Sequence, residues 1–290
     1  MMLFPAKSLC SLLLCGAFVA SAATIDSASL TAIARLQEAK LNARIGIAVI
    51  DTATGNTVSY RGNERFPLNS THKALLCGAL LSKVDKGELA LSDTTQFSKA
   101  ALVEYSPVTS QFVAPKSMSW QQLCSAAVSH SDNSAANLVA RKLGGPAAVT
   151  RFLAESGDSV TRIDRNEPEL NSAIPGDKRD TTTPVAVSQT LQKLVLGDVL
   201  TPQSRTQLAQ WLREDKVADA LLRSVLPAGW SIGDKTGAGA NGSRSIISVV
   251  WPKKGKPLIV SIYITQTQAT LSQSNDAIAR LGKTIFEATH

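Results

Sequence analysis

The sequence predicts an α+β fold, in which an antiparallel sheet built from both ends of the chain packs beside an inserted, all-helical lobe. Two observations predict it. Apolar runs typical of strands lie near the two ends, and the middle of the chain has helical periodicity almost throughout. Turns rich in glycine or proline separate neighbouring strands, and such short connections favour antiparallel pairing. Of the 290 residues, 44% are hydrophobic and 18% are charged, which is typical of a globular chain with a sizeable core.

The elements follow one another along the chain. A first helix is predicted at 29–40, and strands at 44–51 and 56–61 flank a turn at Thr54 and Gly55. Helices, several of which begin at Ser, Thr or Pro, are predicted at 73–85, 119–128, 134–143, 147–155, 184–196 and 202–214. Strands return at 231–236, 245–251 and 258–266, and a last helix covers 273–288. The predicted lobes of one domain, 23–290, are an α/β lobe at about 23–62 and 215–290 and a helical lobe at about 63–214.

The first 22 residues have the pattern of a signal peptide. Lys7 precedes a short apolar run that ends in a small-x-small cleavage pattern at 20–22, and this run is too short for an ordinary membrane span. We therefore expect an exported, periplasmic protein with no stable membrane contact. Cys77 and Cys124 would remain after cleavage, and in an oxidising compartment they most simply form one disulfide. Two separate buried thiols are the alternative.

The formal charge of +7 comes mainly from dispersed lysines and arginines. The cluster at 253–256 lies between two apolar runs and ends before Pro257, which indicates a solvated hairpin turn. The basic residues therefore do not indicate nucleic-acid binding, although a basic surface favours small anionic substrates. Two mature cysteines and three scattered histidines offer no zinc site, so we expect no metal and no cofactor.

Two short motifs in the helical part suggest acyl-transfer chemistry. Ser70 and Lys73 lie one helical turn apart at the start of a helix, where a neutral lysine can take the proton of a serine nucleophile. Ser70 alone would also suit a helix cap, but no other Ser-x-x-Lys tetrad occurs in the chain. Ser131 and Asn133 suit a turn before the next helix, either as a proton relay and a carbonyl ligand or as an N-capping cluster.

A third motif lies at the end of an apolar strand. It is Lys235-Thr236-Gly237, and a buried cation at such a position needs a partner. A substrate carboxylate would be that partner, with Thr236 adding a hydroxyl donor and Gly237 allowing close approach of the backbone. Arg244 opens the next strand, within reach of the same carboxylate as a bidentate donor. A solvated lysine in a turn is the alternative.

His72 invites comparison with a Ser-His-Asp triad. It stands two residues after Ser70, however, and so points to another face of the helix. The chain also has no Gly-x-Ser-x-Gly elbow. We expect His72 and His130 to pack behind the site and not to act as bases.

Taken together, these residues resemble the class A serine β-lactamases over essentially the whole mature chain. The four sequence signatures of that family are matched, in order, by Ser70-Thr71-His72-Lys73, Ser131-Asp132-Asn133, Glu167-Pro168-Glu169-Leu170-Asn171 and Lys235-Thr236-Gly237. The resemblance implies the fold shared by serine β-lactamases and DD-peptidases, and acylation of Ser70. It further implies an oxyanion hole from the N–H groups of Ser70 and Ala238, an ion pair Arg165–Asp180, and the disulfide Cys77–Cys124.

Glu167 distinguishes the competing functions. A lactam opened by serine leaves an ester whose ring nitrogen stays attached, so turnover needs an activated water. The resemblance implies that Glu167 is the base and that Asn171 is a second ligand of this water. A penicillin-binding DD-peptidase would share the motifs at Ser70, Ser131 and Lys235 but would not need this loop. A non-hydrolysing β-lactam sensor would need a membrane span or an output domain. We therefore expect a monomeric hydrolase that binds β-lactam antibiotics and mechanism-based inhibitors.

Further segments resemble the carbenicillin-hydrolysing branch of that family, among them 44–46, 65–68, 179–184 and the segment that begins at Tyr105, which is expected to contact substrate. Members of that branch commonly carry Arg where this chain has Lys235. Asn69 and Gly239 exclude the cysteine pair of some carbapenem-hydrolysing relatives. We expect a penicillinase with some activity on early cephalosporins and with sensitivity to clavulanate-type inhibitors.

Overall fold

The computed structural model describes residue 2 and residues 25–289, so the predicted signal peptide lies, apart from residue 2, outside the described residues. The described part forms eight α-helices: α1 Ser27–Leu41, α2 His72–Asp85, α3 Trp120–Ser129, α4 Asn133–Leu143, α5 Pro146–Glu155, α6 Pro184–Val195, α7 Pro202–Arg213 and α8 Leu271–Ala288. Its strands are β1 Arg44–Asp51, β2 Thr57–Tyr60, β3 Phe66–Pro67, β4 Thr94–Thr95, β5 Met118–Ser119, β6 Thr181–Thr182, β7 Ser231–Ala238, β8 Arg244–Trp251 and β9 Leu258–Thr265. None of the described helices is long and apolar enough to cross a membrane.

Five strands form one antiparallel sheet in the order β2-β1-β9-β8-β7. Strand β1 pairs with β9, with Arg44 opposite Thr265 and Asp51 opposite Leu258, so strands from the two ends of the chain meet inside the sheet. Two further ladders, β3 with β6 and β4 with β5, are two residues long. The predicted α+β fold and the assembly of its sheet from both ends are confirmed.

The alternation of side chains along the strands divides the core into two. Ile45, Ile47 and Val49 of β1 belong to the core that α1 and α8 cover. The other face meets α6, where the Ser188 hydroxyl donates to the Ser261 hydroxyl at 2.8 Å, and continues into the core among the helices. Helices α6 and α7 contact both the sheet and helix α2, so no clear division separates the two lobes. The lobe boundaries near residues 62 and 215 therefore stay a prediction.

Local sequence determines where the helices begin. Ser119 caps α3 because its hydroxyl accepts from the N–H of Gln122, whose side-chain oxygen accepts in turn from the N–H of Ser119. Thr183 and Thr201 cap α6 and α7, each ahead of a proline at the first helical position. For these reasons the observed helices and long strands begin and end within two residues of the predicted bounds.

The two cysteines that lie within the described range are bonded to each other. Cys77 on α2 and Cys124 on α3 form a disulfide, with Cα atoms 5.7 Å apart. The predicted crosslink is therefore present, and the alternative of two separate thiols is wrong. It ties together the first two helices of the helical part of the chain.

Candidate active site

The three sequence motifs converge on one cleft of about 770 Å³, between strand β7 and the helices. Nine of the predicted site residues line it: Ser70, Tyr105, Ser131, Asn133, Asn171, Thr236, Gly237, Ala238 and Arg244. Three further predicted site residues are buried and do not line the cleft: Lys73, Glu167 and Lys235. The structure thus brings together residues of the helical part of the chain, from Ser70 to Asn171, and residues of strands β7 and β8, from Thr236 to Arg244.

Ser70 lies in a 3₁₀ turn, Asn69–Thr71, that leads directly into α2. Asn69 has a φ of 47°, a conformation that asparagine adopts more readily than most residues. The turn places Ser70 at the N-terminal end of α2, where unpaired N–H groups favour negative charge. Its Oγ is nearly buried and accepts a hydrogen bond from Lys73 Nζ at 2.9 Å. A nucleophile and an amine are therefore in direct contact.

Lys73 is fully buried and surrounded by acceptors. Besides Ser70 Oγ, its Nζ donates to the backbone oxygen of Ser131 at 2.8 Å and to Asn133 Oδ1 at 2.6 Å, and it lies 3.4 Å from Ser131 Oγ. Glu167 Oε1 is 3.1 Å from the same nitrogen. Burial lowers the pKa of Lys73 although Glu167 opposes the shift, so the neutral amine is easier to reach than in water.

Glu167 is almost completely buried beside the nucleophile. Its Oε1 lies 3.5 Å from Ser70 Oγ, and its Oε2 accepts a hydrogen bond from Asn171 Nδ2. Burial raises the pKa of Glu167, but the charge of Lys73 and the hydrogen bonds from Lys73 and Asn171 lower it, and the net shift is downward, so the carboxylate remains ionised at neutral pH. Ser70 Oγ is thus flanked by an amine and a carboxylate.

The backbone of Glu167 is fixed by a residue that sequence reasoning missed. Asn137 Oδ1 accepts from the N–H of Glu167 at 2.9 Å, and Asn137 Nδ2 donates to the carbonyl of Glu167 at 2.8 Å. Asn137 stands four residues after the predicted site residue Asn133 on α4, so the two lie on the same face of the helix. This spacing was the signal in the sequence that could have identified Asn137.

Asn171 Oδ1 is buried and has no hydrogen-bond partner in the part of the chain that the structure describes.

The loop that carries Glu167 is closed by the predicted ion pair. Arg165 Nε donates to Asp180 Oδ2 at 2.5 Å. Asp180 Oδ1 also accepts from the backbone N–H groups of Asp164 and Arg165, at 2.7 and 3.0 Å. Asp180 itself is 1% exposed. One buried carboxylate therefore holds the two ends of the loop together.

Asp132 orients the second motif as well as capping α4. Its carboxylate accepts from the N–H of Ala135 at 2.8 Å and from the N–H groups of Val108 and Thr109 at 2.9 Å. The segment that carries Tyr105 is thereby tied to the start of α4. The side chain of Tyr105 is 54% exposed at the mouth of the cleft, opposite β7.

Lys235 is fully buried on β7. Its Nζ lies 3.8 Å from Asp215 Oδ2 and donates to the carbonyl of Thr236 at 3.1 Å. Burial lowers the pKa of Lys235 to about 8, with Asp215 opposing the shift and Lys73 adding to it. The amine is mostly charged at neutral pH and loses that charge in mildly basic solution.

Arg244 begins β8, opposite Ala238 in register. Its Nη1 donates to the carbonyl of Gly237 at 3.0 Å, and its Nε donates to Asn275 Oδ1 at 2.8 Å. Burial lowers the pKa of Arg244 to about 10, which leaves the guanidinium charged at neutral pH. Sequence reasoning missed Asp215 and Asn275, which lie in or beside helices where no motif marks them.

Gly237 is needed because β7 runs very close to the nucleophile. A Cβ on Gly237 would lie 2.8 Å from Asn69 Cβ and 3.0 Å from Ser70 N. Any larger residue would displace the turn that carries Ser70. The next residue, Ala238, lines the same cleft as Ser70.

Comparison with known proteins identifies what this arrangement is similar to. The β-lactamase enzyme family matches residues 28–289. β-Lactamase AER-1 of Aeromonas hydrophila is 51% identical over 89% of this chain and 85% of its own length. β-Lactamase CARB-4 of Pseudomonas aeruginosa is 47% identical over 88% of each chain.

Solved structures give the same result. An ancestral class A β-lactamase superposes with a TM-score of 0.88 at 49% identity, covering 89% of this chain and 99% of its own. The chromosome-encoded β-lactamase of Vibrio parahaemolyticus superposes with a TM-score of 0.86 at 46% identity, covering 89% of this chain and 98% of its own. The resemblance inferred from the sequence is confirmed.

Proposed function

Because this chain belongs to the class A β-lactamases, we propose that Ser70 attacks the lactam carbonyl of penicillins and that Glu167 activates the water that hydrolyses the resulting ester. One observation carries the proposal: Ser70 Oγ contacts Lys73 Nζ at 2.9 Å and Glu167 Oε1 at 3.5 Å, in a buried cluster. Carboxypenicillins and some early cephalosporins are proposed as further substrates. The enzyme confers resistance by destroying these antibiotics.

In the acylation step, the pair formed by Lys73 and Glu167 takes the proton of Ser70 as Oγ bonds to the lactam carbon. Negative charge develops on the carbonyl oxygen, and the N–H groups of Ser70 and Ala238 stabilise it. The C–N bond of the lactam then breaks, and Ser131 passes a proton to the leaving nitrogen. Its Oγ lies 3.4 Å from Lys73 Nζ, which supports this relay.

The carboxylate of the antibiotic is proposed to bind at the sheet side of the cleft. Lys235 and Arg244 supply positive charge there, and Thr236 supplies a hydroxyl. Asn133 is proposed to hold the amide carbonyl of the antibiotic side chain, and Tyr105 to contact its rings from the mouth. Penicillins carry the carboxylate and the amide that this arrangement suits.

In the deacylation step, Glu167 takes a proton from a water as the water oxygen attacks the ester carbon. The ester bond to Ser70 then breaks, and Ser70 Oγ takes a proton back to regenerate its hydroxyl. The unpartnered Asn171 Oδ1 supports this water site, because a buried acceptor is normally satisfied by protein or by an ordered water. A DD-peptidase or a β-lactam sensor would not need this base. We also propose that the enzyme is periplasmic, which the Cys77–Cys124 disulfide favours, and that it is a monomer.

Glu167→Gln tests the proposal. The amide cannot accept the proton of water, so the variant should bind benzylpenicillin covalently and release it ~10²–10⁴ times more slowly. Intact-mass measurement should then show the protein with one added antibiotic mass. Glu155→Gln, an exposed carboxylate on α5 that does not line the cleft, is the control and should turn over normally. Normal turnover of Glu167→Gln would remove Glu167 from the mechanism, and absence of any adduct in Ser70→Ala would confirm the site of attachment.

A further inference from the structure

His72 is a buried imidazole that none of the proposed steps uses. Its ring is 4% exposed, and Nδ1 lies 2.9 Å from the backbone oxygen of Asn69. A carbonyl oxygen only accepts, so Nδ1 carries the proton and donates it. The backbone N–H of His72 reaches the same oxygen, so a single residue supplies both donors to this carbonyl.

The carbonyl that His72 holds belongs to the peptide unit that contributes the N–H of Ser70. In a trans peptide the C=O and N–H of one unit are coplanar and point in opposite directions. A bond that fixes the direction of the Asn69 oxygen therefore fixes the direction of the Ser70 N–H as well. That direction matters because the peptide between Asn69 and Ser70 lies at the start of α2. The chain enters this peptide through Asn69, whose φ is 47°.

The strand on the other side restricts the same peptide. Gly237 packs so closely that a Cβ there would meet Ser70 N at 3.0 Å. The peptide is therefore held between β7 on the cleft side and the imidazole on the buried side. The proposed oxyanion hole uses the N–H of this peptide together with that of Ala238.

We propose that His72 is a positioning residue that aims the Ser70 N–H into the oxyanion hole through its bond to the Asn69 carbonyl. This inference rests on the proposed role of Ser70 as nucleophile. A neutral ring is enough for it, since the donor is the Nδ1 proton. The structure favours that form, because burial and the charge of Lys73 lower the pKa of His72 against the attraction of Glu167 and Asp180.

Three substitutions separate this role from simple packing. His72→Phe keeps a ring and removes the donor. His72→Asn keeps an N–H donor at the same distance along the side chain, and His72→Gln moves that donor one bond further out. Each variant is compared with the wild-type protein in kcat/KM for benzylpenicillin and in affinity for phenylboronic acid. The boron of this acid bonds to serine Oγ and places an oxygen in the oxyanion hole.

The expected result is a three- to tenfold loss, by His72→Phe, of both kcat/KM and boronate affinity, about the size of one neutral hydrogen bond. His72→Asn should recover most of this loss, and His72→Gln should not. Thermal unfolding identifies any variant that fails to fold.

Two outcomes overturn the proposal. One is a folded His72→Phe variant whose kcat/KM and boronate affinity both stay within twofold of the wild-type values. The other is an equal loss in His72→Asn and His72→Phe, which would mean that the ring packs without aiming the peptide. Failure of the proposed function is distinguishable, since the wild-type protein itself would then neither hydrolyse benzylpenicillin nor bind the boronate.

Discussion

Lys73 and Lys235 are both fully buried amines, and the proposed mechanism uses them in different ways. Lys73 contacts Glu167 at 3.1 Å and exchanges a proton during acylation. Lys235 has its nearest carboxylate at 3.8 Å, and its charge is proposed to attract the substrate. A buried cation with a distant partner is costly to fold, so the ligand completes an ion pair that the protein leaves open.

The first prediction is a basic limb in the pH profile. Because burial lowers the pKa of Lys235 to about 8, the amine is charged below that pH and neutral above it. The value of kcat/KM for benzylpenicillin should therefore fall as the pH rises through about 8. Lys235→Arg should move this fall in kcat/KM to higher pH, because a guanidinium keeps its charge to much higher pH than an amine. A limb that stays at the same pH in Lys235→Arg would assign it to another group.

The second prediction concerns Arg244. Arg244→Ser removes a charged donor from the proposed carboxylate site, so kcat/KM for benzylpenicillin should fall about 10- to 100-fold, with most of the effect in KM. Steady-state kinetics measures the split. Arg151→Ser, an exposed arginine on α5, is the control and should leave both constants unchanged. An unaffected Arg244→Ser variant would leave Lys235 and Thr236 as the carboxylate ligands.

Single residues differ in how readily the sequence identifies them. Ser70 and Lys73 were predictable because their chemistry requires a fixed spacing on one helix turn. Asn137 and Asn275 were not, because each acts on a residue far away in sequence: the backbone of Glu167 and the guanidinium of Arg244. An amide in such a role needs only to be close in space to its partner, so its separation in sequence from that partner carries no signal. Asn137 could be suspected only from its spacing to Asn133 on α4.

At the scale of elements, the loop from Arg165 to Asp180 depends most on a single contact. Its only regular element is a short 3₁₀ helix, Glu169–Ser172. Its ends are joined through the buried Asp180 carboxylate. The position of Glu167 therefore depends on a residue that touches no substrate.

The third prediction follows from that dependence. Asp180→Ala should lower the free energy of unfolding by about 1–3 kcal/mol, because two N–H groups and Arg165 lose their acceptor. Deacylation should slow more than acylation, so that acyl-enzyme accumulates during turnover in rapid-quench mass measurements. Asp177→Ala, which breaks an exposed ion pair on the same loop, is the control. Equal slowing of both steps would show that the loop also positions Ser70.

Long elements were predictable, and very short ones were not. The helices and the strands of the main sheet carry a clear periodicity and recognisable caps, such as Ser119 and Thr183. The two-residue strands β3 to β6 were missed. Two residues have no period, and the pairing of Phe66 with Thr182 depends on where the loop after Glu167 returns.

At the scale of the whole molecule, the disulfide joins two helices that are distant in sequence. Cys77 lies one turn after Lys73 on α2, and its partner Cys124 is 47 residues further along the chain. The crosslink restricts the unfolded chain more than the folded one. On the loop-entropy account, a loop of that length contributes about 4 kcal/mol.

The fourth prediction is that the double variant Cys77→Ala, Cys124→Ala unfolds at lower urea concentration. The free energy of unfolding should fall by up to about 4 kcal/mol. The value of kcat at 25 °C should change little, because neither cysteine lines the cleft. Wild-type protein kept reduced should match the variant. An unchanged unfolding midpoint would mean that the helices are held by packing alone.

The pairing of β1 with β9 has a consequence for the order of events during synthesis. Strand β1 leaves the ribosome early, but one of its two neighbours is the last strand to be made. Contacts between such distant segments form slowly, because a long loop must close first. We expect the growing chain to remain without a complete sheet until translation has passed residue 265. The export proposed for this chain would take place before folding, and such a chain gains time from this arrangement.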